Sequence, residues 1–277
     1  MKYTEYIFRV DPPAPWYDIL TQELGEIGFD YFTEEDGLLK AFISEPQNSR
    51  QLPSRVELLR RAEMEVFEWE VKEWADQNWN AEWEKEYPAV EIGNLVRIRA
   101  PFHQPSEGFR LEVVVHPRMA FGTGHHSTTR LMSDALFNID LKGMHVLDMG
   151  CGTGVLGIIA EKLGAEQVLC IDIEPESVAA TINNSLLNNC QKIKVREGSV
   201  EQMKGSIFDL ILANINRNIL LNHLPEYEKS LKAGAHLLLS GFYSTDTALL
   251  SDALQKHGFR IRKIFDHEGW EMIHAIK

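Results

Sequence analysis

Three closely spaced glycines give the sequence its strongest chemical signal. Gly150, Gly152 and Gly154 lie in VLDMGCGTGVLG, residues 146–157, after an apolar run that predicts a buried strand. Glycines permit a sharp turn and a close approach of the backbone to a ligand. The helix predicted to follow would present free N–H groups and the positive end of its dipole. The segment therefore predicts a nucleotide-binding loop, and from Gly152 the spacing G-x-G-x-x-G also fits a dinucleotide.

Two aspartates bear on which nucleotide the loop would hold. Asp148 ends the first strand, where a carboxylate would oppose a pyrophosphate but suit the cationic sulfonium and ammonium of S-adenosylmethionine (AdoMet). Asp172 ends the next predicted strand and can accept hydrogen bonds from both ribose hydroxyls of either cofactor. Both residues could instead cap a helix or a turn. We expect AdoMet as the cofactor, and the alternative is an NAD(P)-dependent oxidoreductase.

A third strand, FDLILAN at residues 208–214, ends in an amide side chain. The carboxyl ends of parallel strands lie at one edge of a sheet, so Asn214 should lie beside the glycine loop. Its carbonyl oxygen could accept N–H bonds from an incoming amine and aim the nitrogen lone pair at a methyl group. We predict that Asn214 is catalytic and that no general base is obligatory. The alternative is that Asn214 only caps the following helix.

The elements that position these residues alternate between strands and helices from about residue 143. This pattern predicts an α/β fold with a doubly wound, Rossmann-like sheet and a ligand beyond the carboxyl ends of its strands. The last two predicted strands have no helix between them, so one of them must run antiparallel. The predicted strands comprise residues 146–149, 167–172, 193–196, 208–214, 236–240, 260–265 and 271–275.

The first 74 residues follow a different pattern. Their periodicity predicts β-α-β-β-α-β, a ferredoxin-like α+β unit whose second helix spans residues 51–61. This stretch holds 8 Lys and Arg against 16 Asp and Glu, which suits docking of a basic protein. We therefore expect a substrate-docking domain at 1–74, a linker helix at 75–88 and a catalytic domain at 89–277. Trp79 and Trp83 would be packing anchors on the linker helix.

Composition limits the remaining classes of protein. The chain has 277 residues, 44% hydrophobic, and no apolar run near the roughly 18–20 residues that cross a bilayer. We expect no signal peptide, no membrane association and no metal, and the spacing of its 3 cysteines indicates reduced thiols in the cytoplasm. The net charge of -13 and the lack of a basic, aromatic-laced face argue against direct, sequence-specific nucleic-acid binding.

The segment PRMAFGTGHHSTTR, residues 117–130, resembles the AFGTG-x-H-x-TT segment of PrmA-type enzymes. These are class I AdoMet-dependent methyltransferases that modify the large-subunit ribosomal protein numbered eleven. The motifs DQNWNAEW, IDIEP, LANI and LLLSGF extend the resemblance over nearly the whole chain. The resemblance implies a small ferredoxin-like domain that holds the ribosomal protein, joined by a flexible helix to the catalytic domain. It also implies methylation of an N-terminal α-amine and of lysine side chains.

The resemblance also implies roles for single residues. Phe121 would cover the bound AdoMet, and His126 occupies the histidine position of the motif, where we expect it to order the loop. His125 stands where a smaller residue is expected. A methyltransferase of RNA or of a small molecule and a non-catalytic AdoMet-binding factor remain alternatives. The resemblance implies that Thr129, Gly150, Asp172 and Asn214 contact AdoMet. We add Gly152 of the glycine loop to these predicted cofactor-binding positions.

Overall fold

The computed structural model describes residues 3–11, 16–29, 31–35, 37–44, 66–73, 87–117, 122 and 124–277. The chain divides into two compact units, Met1–Glu86 and Tyr87–Lys277. The helices predicted at 51–61 and 75–88, with Trp79 and Trp83, lie outside the described residues, and so does Phe121. Within the described ranges, no helix has the length and apolar character needed to span a membrane.

The described residues of the first unit form a four-stranded antiparallel sheet packed against a helix. Its sheet order is β2-β3-β1-β4, which confirms the small ferredoxin-like domain that the sequence predicts. Along the strands every second residue is part of the core, as at Tyr6 and Phe8. Along the helix the core residues recur every three or four positions, as at Tyr17, Leu20 and Leu24. The elements are β1 (Tyr3–Asp11), α1 (Trp16–Glu26), β2 (Tyr31–Glu35), β3 (Leu38–Ser44) and β4 (Val66–Glu73).

The second unit contains a three-stranded sheet followed by the α/β elements. The small sheet is formed by β5 (Val90–Ile92), β6 (Val96–Arg99) and β7 (Leu111–Val114). The sequence analysis missed β5, which is too short to show a strand period. The remaining elements are α2 (Ser127–Leu136), β8 (His145–Met149), α3 (Val155–Lys162), β9 (Gln167–Asp172), α4 (Pro175–Leu187), β10 (Ile193–Glu197), β11 (Phe208–Asn214), α5 (Arg217–Ser230), β12 (Leu231–Tyr243), α6 (Thr247–Lys256), β13 (Arg260–His267) and β14 (Trp270–Ile276).

The large sheet has the order β10-β9-β8-β11-β12-β14-β13. Its pairs are parallel from β10 to β12, and β14 is antiparallel to both of its neighbours. This confirms the doubly wound sheet and its single reversed strand. The chain proceeds from β8 to one side through β9 and β10, and then returns to the other side through β11. A sheet of this kind binds ligands at that change of direction, beyond the carboxyl ends of the strands.

The two faces of the large sheet carry separate cores. Val146, Leu210 and Leu238 face α2 and α3, whereas the next residues along the same strands, among them Leu147 and Ile211, face α5 and α6. This alternation follows from the two-residue repeat of a strand. Because both faces are covered, the central strands β8, β9 and β11 are mostly apolar, and the polar side chains at their carboxyl ends are conspicuous.

Candidate active site

A cavity of about 700 Å3 opens at the carboxyl ends of β8, β9 and β11. This position is where the doubly wound topology places a ligand, and the volume suits a cofactor-sized molecule. Of the predicted site residues, the cavity brings together Gly150, Gly152, Asp172 and Asn214. It does not bring Thr129 to its wall.

The glycine loop is required by the packing of the protein as well as by ligand approach. Gly150, Gly152 and Gly154 have φ values of 70°, 55° and 78°, in the left-handed region that glycine tolerates. A Cβ on Gly150 would lie 2.2 Å from Cγ2 of Ile215, and one on Gly154 would lie 2.7 Å from Cγ2 of Thr181. The loop can therefore keep this shape only with glycines.

We expect Gly150→Ala to weaken AdoMet binding by at least tenfold, because the added methyl group must displace Ile215 from the cavity wall. Gly143→Ala is the matched control, since Gly143 has a φ of 76° and no atom within 4 Å of an added Cβ. The control should cost about 1–2 kcal/mol of stability from its backbone conformation alone and leave binding intact. Calorimetric titration and chemical unfolding of both variants measure the difference, and equal AdoMet affinities would contradict the steric argument.

Asp172 caps two turns of the backbone and keeps acceptors for the ribose role, which stays a prediction. One carboxylate oxygen accepts a hydrogen bond from the backbone N–H of Gly152 at 2.8 Å, and the other accepts from the N–H of Glu174 at 3.0 Å. These bonds fix the glycine loop and the turn after β9. A carboxylate has about four acceptor positions, so Asp172, which is on the cavity wall, keeps acceptors that suit ribose hydroxyls.

Asp148 does not face the cavity. It is 1% exposed and lies on the α3 face of the sheet, where its carboxylate accepts a hydrogen bond from the N–H of Gly157 at 2.9 Å. The interpretation that this carboxylate would oppose a pyrophosphate is therefore wrong, and the capping alternative describes its contact. Burial raises the pKa of Asp148 to about 7; the bond from Gly157 lowers it and the charge of Asp172 raises it further.

This raised pKa predicts a pH dependence of stability. The folded chain holds the Asp148 proton more tightly than the unfolded chain, so the contribution is complete below about pH 4 and is lost as the pH rises through 7. Asp148→Asn keeps an acceptor for Gly157 and removes the titration. Between pH 4.5 and 8, the free energy of unfolding of the wild type should fall by about 3 kcal/mol relative to that of the variant. Parallel curves from chemical unfolding across this range would contradict the shift.

Asn214, a residue of the cavity wall, has an unsatisfied acceptor. Its Nδ2 lies 3.5 Å from the Thr129 hydroxyl oxygen, whereas its Oδ1 is buried and has no hydrogen-bond partner among the described residues. A buried carbonyl oxygen without a donor is costly and rare, which points to a donor supplied by a ligand. The helix-cap alternative belongs to Asn216, whose Oδ1 accepts from the N–H of Asn218 at 2.9 Å.

Thr129 lies behind Asn214 rather than on the cavity wall. It is 1% exposed, and its hydroxyl faces the Asn214 amide. The neighbouring Thr128 lines the cavity. In this structure Thr129 thus orients Asn214, and its direct contact with AdoMet stays a prediction. The motif residues TT indicated the turn of helix that borders the cavity, and the structure places the first of these two side chains on the cavity wall.

The paired histidines order the segment before α2. His126 is the N-cap of α2, because its Nδ1 accepts from the N–H of Thr128 at 3.3 Å, and burial lowers the pKa of its ring. His125 is hydrogen-bonded to the Tyr87 hydroxyl at 3.3 Å and to the Pro88 carbonyl at 3.1 Å. Across the described ranges, no three His, Cys, Asp or Glu side chains are grouped to hold a metal.

The sequence analysis missed an aromatic wall of the cavity. Trp270, at the start of β14, packs edge-to-face on His126 with ring centroids 4.5 Å apart and lies 4.0 Å from the ring of Tyr243. Because β14 is antiparallel to β12, its first residue reaches the edge where the parallel strands end. No motif marks Trp270. A reversed strand was predicted in this part of the chain. The residue at its amino end could therefore have been placed at the edge of the sheet that holds the cavity.

Comparisons with known proteins extend over nearly the whole chain. The family described as "Ribosomal protein L11 methyltransferase (PrmA)" matches residues 22–277. The chain is 39% identical to "Ribosomal protein L11 methyltransferase" of Porphyromonas gingivalis, over 98% of this chain and 96% of that protein. The Bacteroides fragilis protein of the same name is 37% identical over 100% of both. A solved structure, "ribosomal protein L11 methylase" from Lactobacillus delbrueckii subsp. bulgaricus, aligns with a TM-score of 0.64 and 29% identity over 68% of this chain and 98% of that chain.

Proposed function

This chain belongs to the ribosomal protein L11 methyltransferase (PrmA) family, and from that membership we propose that its cavity transfers methyl groups from AdoMet to amines of ribosomal protein L11. It is an AdoMet-dependent protein methyltransferase. The observation that carries the placement of the amine is the buried, unpaired Oδ1 of Asn214 at the cavity wall. That oxygen accepts hydrogen bonds and has no donor within the described part of the protein.

The residues of the cavity fit AdoMet. Gly150 and Gly152 allow its backbone contact, and Asp172 keeps acceptors for ribose hydroxyls. When bound, AdoMet supplies a methyl group on a cationic sulfur, so the protein needs no acid to create the electrophile. Ile173 and Ile215 provide apolar surface in the same cavity. The loop and Asp172 hold each other in position through the Gly152 hydrogen bond, which pre-forms this part of the site.

The residues of this chain have to place a neutral amine. An α-amine with a pKa of about 7.7–8.0 costs roughly 1 kcal/mol to deprotonate at pH 7, and a lysine near 10.4 costs roughly 4.6 kcal/mol. The Asn214 amide cannot take that proton, but its Oδ1 can accept an N–H bond and direct the lone pair of the nitrogen. Thr129 faces the other end of the same amide and holds it in this orientation. Positioning of this kind accounts for several kcal/mol of barrier in bimolecular reactions.

The first unit has the properties of a docking domain for a basic protein. Residues 1–74 hold 16 acidic against 8 basic residues, and on β4 the exposed Trp69 lies between the exposed Glu68 and Glu70. An acidic surface with an exposed aromatic side chain suits a cationic partner. The range 1–74 would hold L11, 75–88 would act as a flexible linker, and 89–277 would carry the reaction. This arrangement would let one fixed site reach the N-terminal α-amine and several lysines.

Mass spectrometry of L11 after incubation with the enzyme and AdoMet tests this function. The mass of L11 should increase in steps of one methyl group, and fragmentation should locate the groups on the α-amine and on lysines. In a parallel reaction, purified ribosomal RNA replaces L11 as the alternative substrate. Methyl groups recovered only on RNA, or none on L11 under conditions where AdoMet binds, would contradict the proposal.

A further inference from the structure

The second unit carries a groove whose charge is opposite to that of the chain as a whole. It has a volume of about 550 Å3 and lies where α2 ends, so it is at the other end of this helix from the candidate active site. Arg110, Arg262 and Lys263 line it, and Asp134 is the one carboxylate among its lining residues that the structure describes. Arg262 also borders a neighbouring open cleft that contains Arg260. We call these two adjoining surfaces the basic groove.

Two of its cations lie over aromatic rings. The guanidinium carbon of Arg110 is 5.3 Å from the centroid of the Phe137 ring, and Nζ of Lys263 is 4.3 Å from that of Phe265. Both phenylalanines line the groove. Aromatic faces next to cations are the combination with which proteins bind the bases and phosphates of RNA. The linear sequence shows no such face, because these residues come from separate segments of the chain.

The cations of the groove are available to a ligand. Arg110, Arg260, Arg262 and Lys263 are exposed, and within the described ranges none of them is ion-paired with a carboxylate. By contrast, Arg99 on the nearby small sheet is bound to Glu112 at 2.6 Å. Among the described residues that line the basic groove there are therefore four cations without an ion-pair partner and one carboxylate.

Two histidines in the groove do not add to this charge at neutral pH. His236 and His274 are hydrogen-bonded to each other at 2.9 Å. Burial lowers the pKa of both rings, and the charge of Arg262 lowers them further, with that of His274 at about 4. The pair is therefore neutral at pH 7, and the positive potential of the groove comes from its Arg and Lys side chains.

A β-bulge concentrates the cations on one side of β13. The pairing of β13 with β14 shifts between Ile261 and Lys263, which leaves Arg262 without a residue opposite it. In a regular strand, Arg262 and Lys263 would point to opposite faces, whereas here both line the same groove. Arg260 and Lys263 lie opposite Ile276 and His274, so they are about 7 Å apart along the strand, at about 3.3 Å per residue of the partner strand. This distance is larger than a single phosphate group and suits successive phosphates along a nucleic-acid backbone.

We propose that the basic groove binds the sugar-phosphate backbone of RNA. The proposal rests on the proposed function in one respect, because a ribosomal protein substrate brings ribosomal RNA close to the enzyme. The groove would then strengthen the encounter with L11 that is already bound to RNA, while isolated L11 would be methylated without it. An acidic chain needs such a local patch to approach RNA, since its overall charge of -13 opposes the encounter.

Fluorescence anisotropy with a labelled single-stranded RNA of mixed sequence tests the binding. The double substitution R262E/K263E should weaken binding of the full chain at least tenfold at about 50 mM salt. K194E/K204E is the matched control, because it changes the net charge equally at exposed lysines on β10 and before Gly205, and it should change the affinity less than twofold. The neutral pair R262Q/K263Q should reduce the slope of log Kd against log salt by about 1.4.

Methylation kinetics separate this inference from the proposed function. With isolated L11, R262E/K263E should keep the wild-type kcat and KM; with the L11–RNA complex, its KM should rise at least fivefold at unchanged kcat. The inference is overturned if the wild type does not bind RNA, if both charge-reversal pairs weaken binding equally, or if AMP alone displaces RNA at a comparable affinity. Failure of the wild type to methylate L11 would instead contradict the proposed function.

Discussion

Replacing Asn214 with alanine is expected to lower kcat for methyl transfer to L11 by about 100-fold or more. The variant loses the buried, unpaired oxygen that we propose accepts an N–H bond from the incoming amine. AdoMet affinity should change less than threefold, because the glycine loop and Asp172 remain. Single-turnover methylation with saturating AdoMet measures the chemical step, and calorimetry measures the affinity.

Asn216→Ala is the matched control for this experiment. It removes the same amide from a residue two positions further along the chain, on the wall of the same cavity. The oxygen of Asn216 is already occupied as the N-cap of α5, so this variant should lose about 1 kcal/mol of stability and keep most of its turnover. If Asn214→Ala reacts as fast as Asn216→Ala, the role of Asn214 in aiming the amine is wrong.

Thr129→Val tests whether Asn214 is held in place from behind. The substitution keeps the shape of the side chain and removes the hydroxyl that faces the Asn214 amide. We expect a smaller loss of kcat than for Asn214→Ala, about tenfold, because the amide is present but free to rotate. A large loss of AdoMet affinity with normal kcat would instead support the direct cofactor contact that the sequence predicts for Thr129.

Deleting residues 1–74 is expected to lower kcat/KM for L11 by about 1000-fold or more while AdoMet affinity changes less than threefold. The fragment keeps the entire candidate active site. It should also fold, because among the described residues the two cores of the large sheet consist of residues from Val90 onward and the core of the first unit lies within that unit. Steady-state methylation of L11 and calorimetry with AdoMet give the two quantities.

A short peptide with the N-terminal sequence of L11 provides the control substrate for the truncated chain. At saturating peptide concentration, the fragment and the full chain should have similar kcat, because a peptide too short to dock gains nothing from residues 1–74. Loss of turnover with the peptide would indicate a damaged active site. Undiminished methylation of whole L11 by the fragment would refute the docking role of the first unit.

The order of elements and most of the cavity wall follow from local patterns in the sequence. Alternating and helical periodicities reflect which side of each element is buried, so they predict the sheet of the first unit, the large sheet of the second unit and a reversed strand among its last two. Strand ends can be located in the same way. Together with the rule for doubly wound sheets, this was enough to bring Gly150, Asp172 and Asn214 to one edge.

Tertiary structure decided what each polar side chain does there. Asp148 is the last residue but one of β8 and Asp172 is the last of β9, yet one is buried under α3 and the other lines the cavity, because the packed neighbours differ. Asn216 rather than Asn214 caps α5, which leaves the Asn214 oxygen unpaired. The basic groove likewise forms only in the folded chain. A sequence determines which residues are apolar and how they repeat, whereas hydrogen-bond partners, burial and clustered charge depend on segments that meet only on folding.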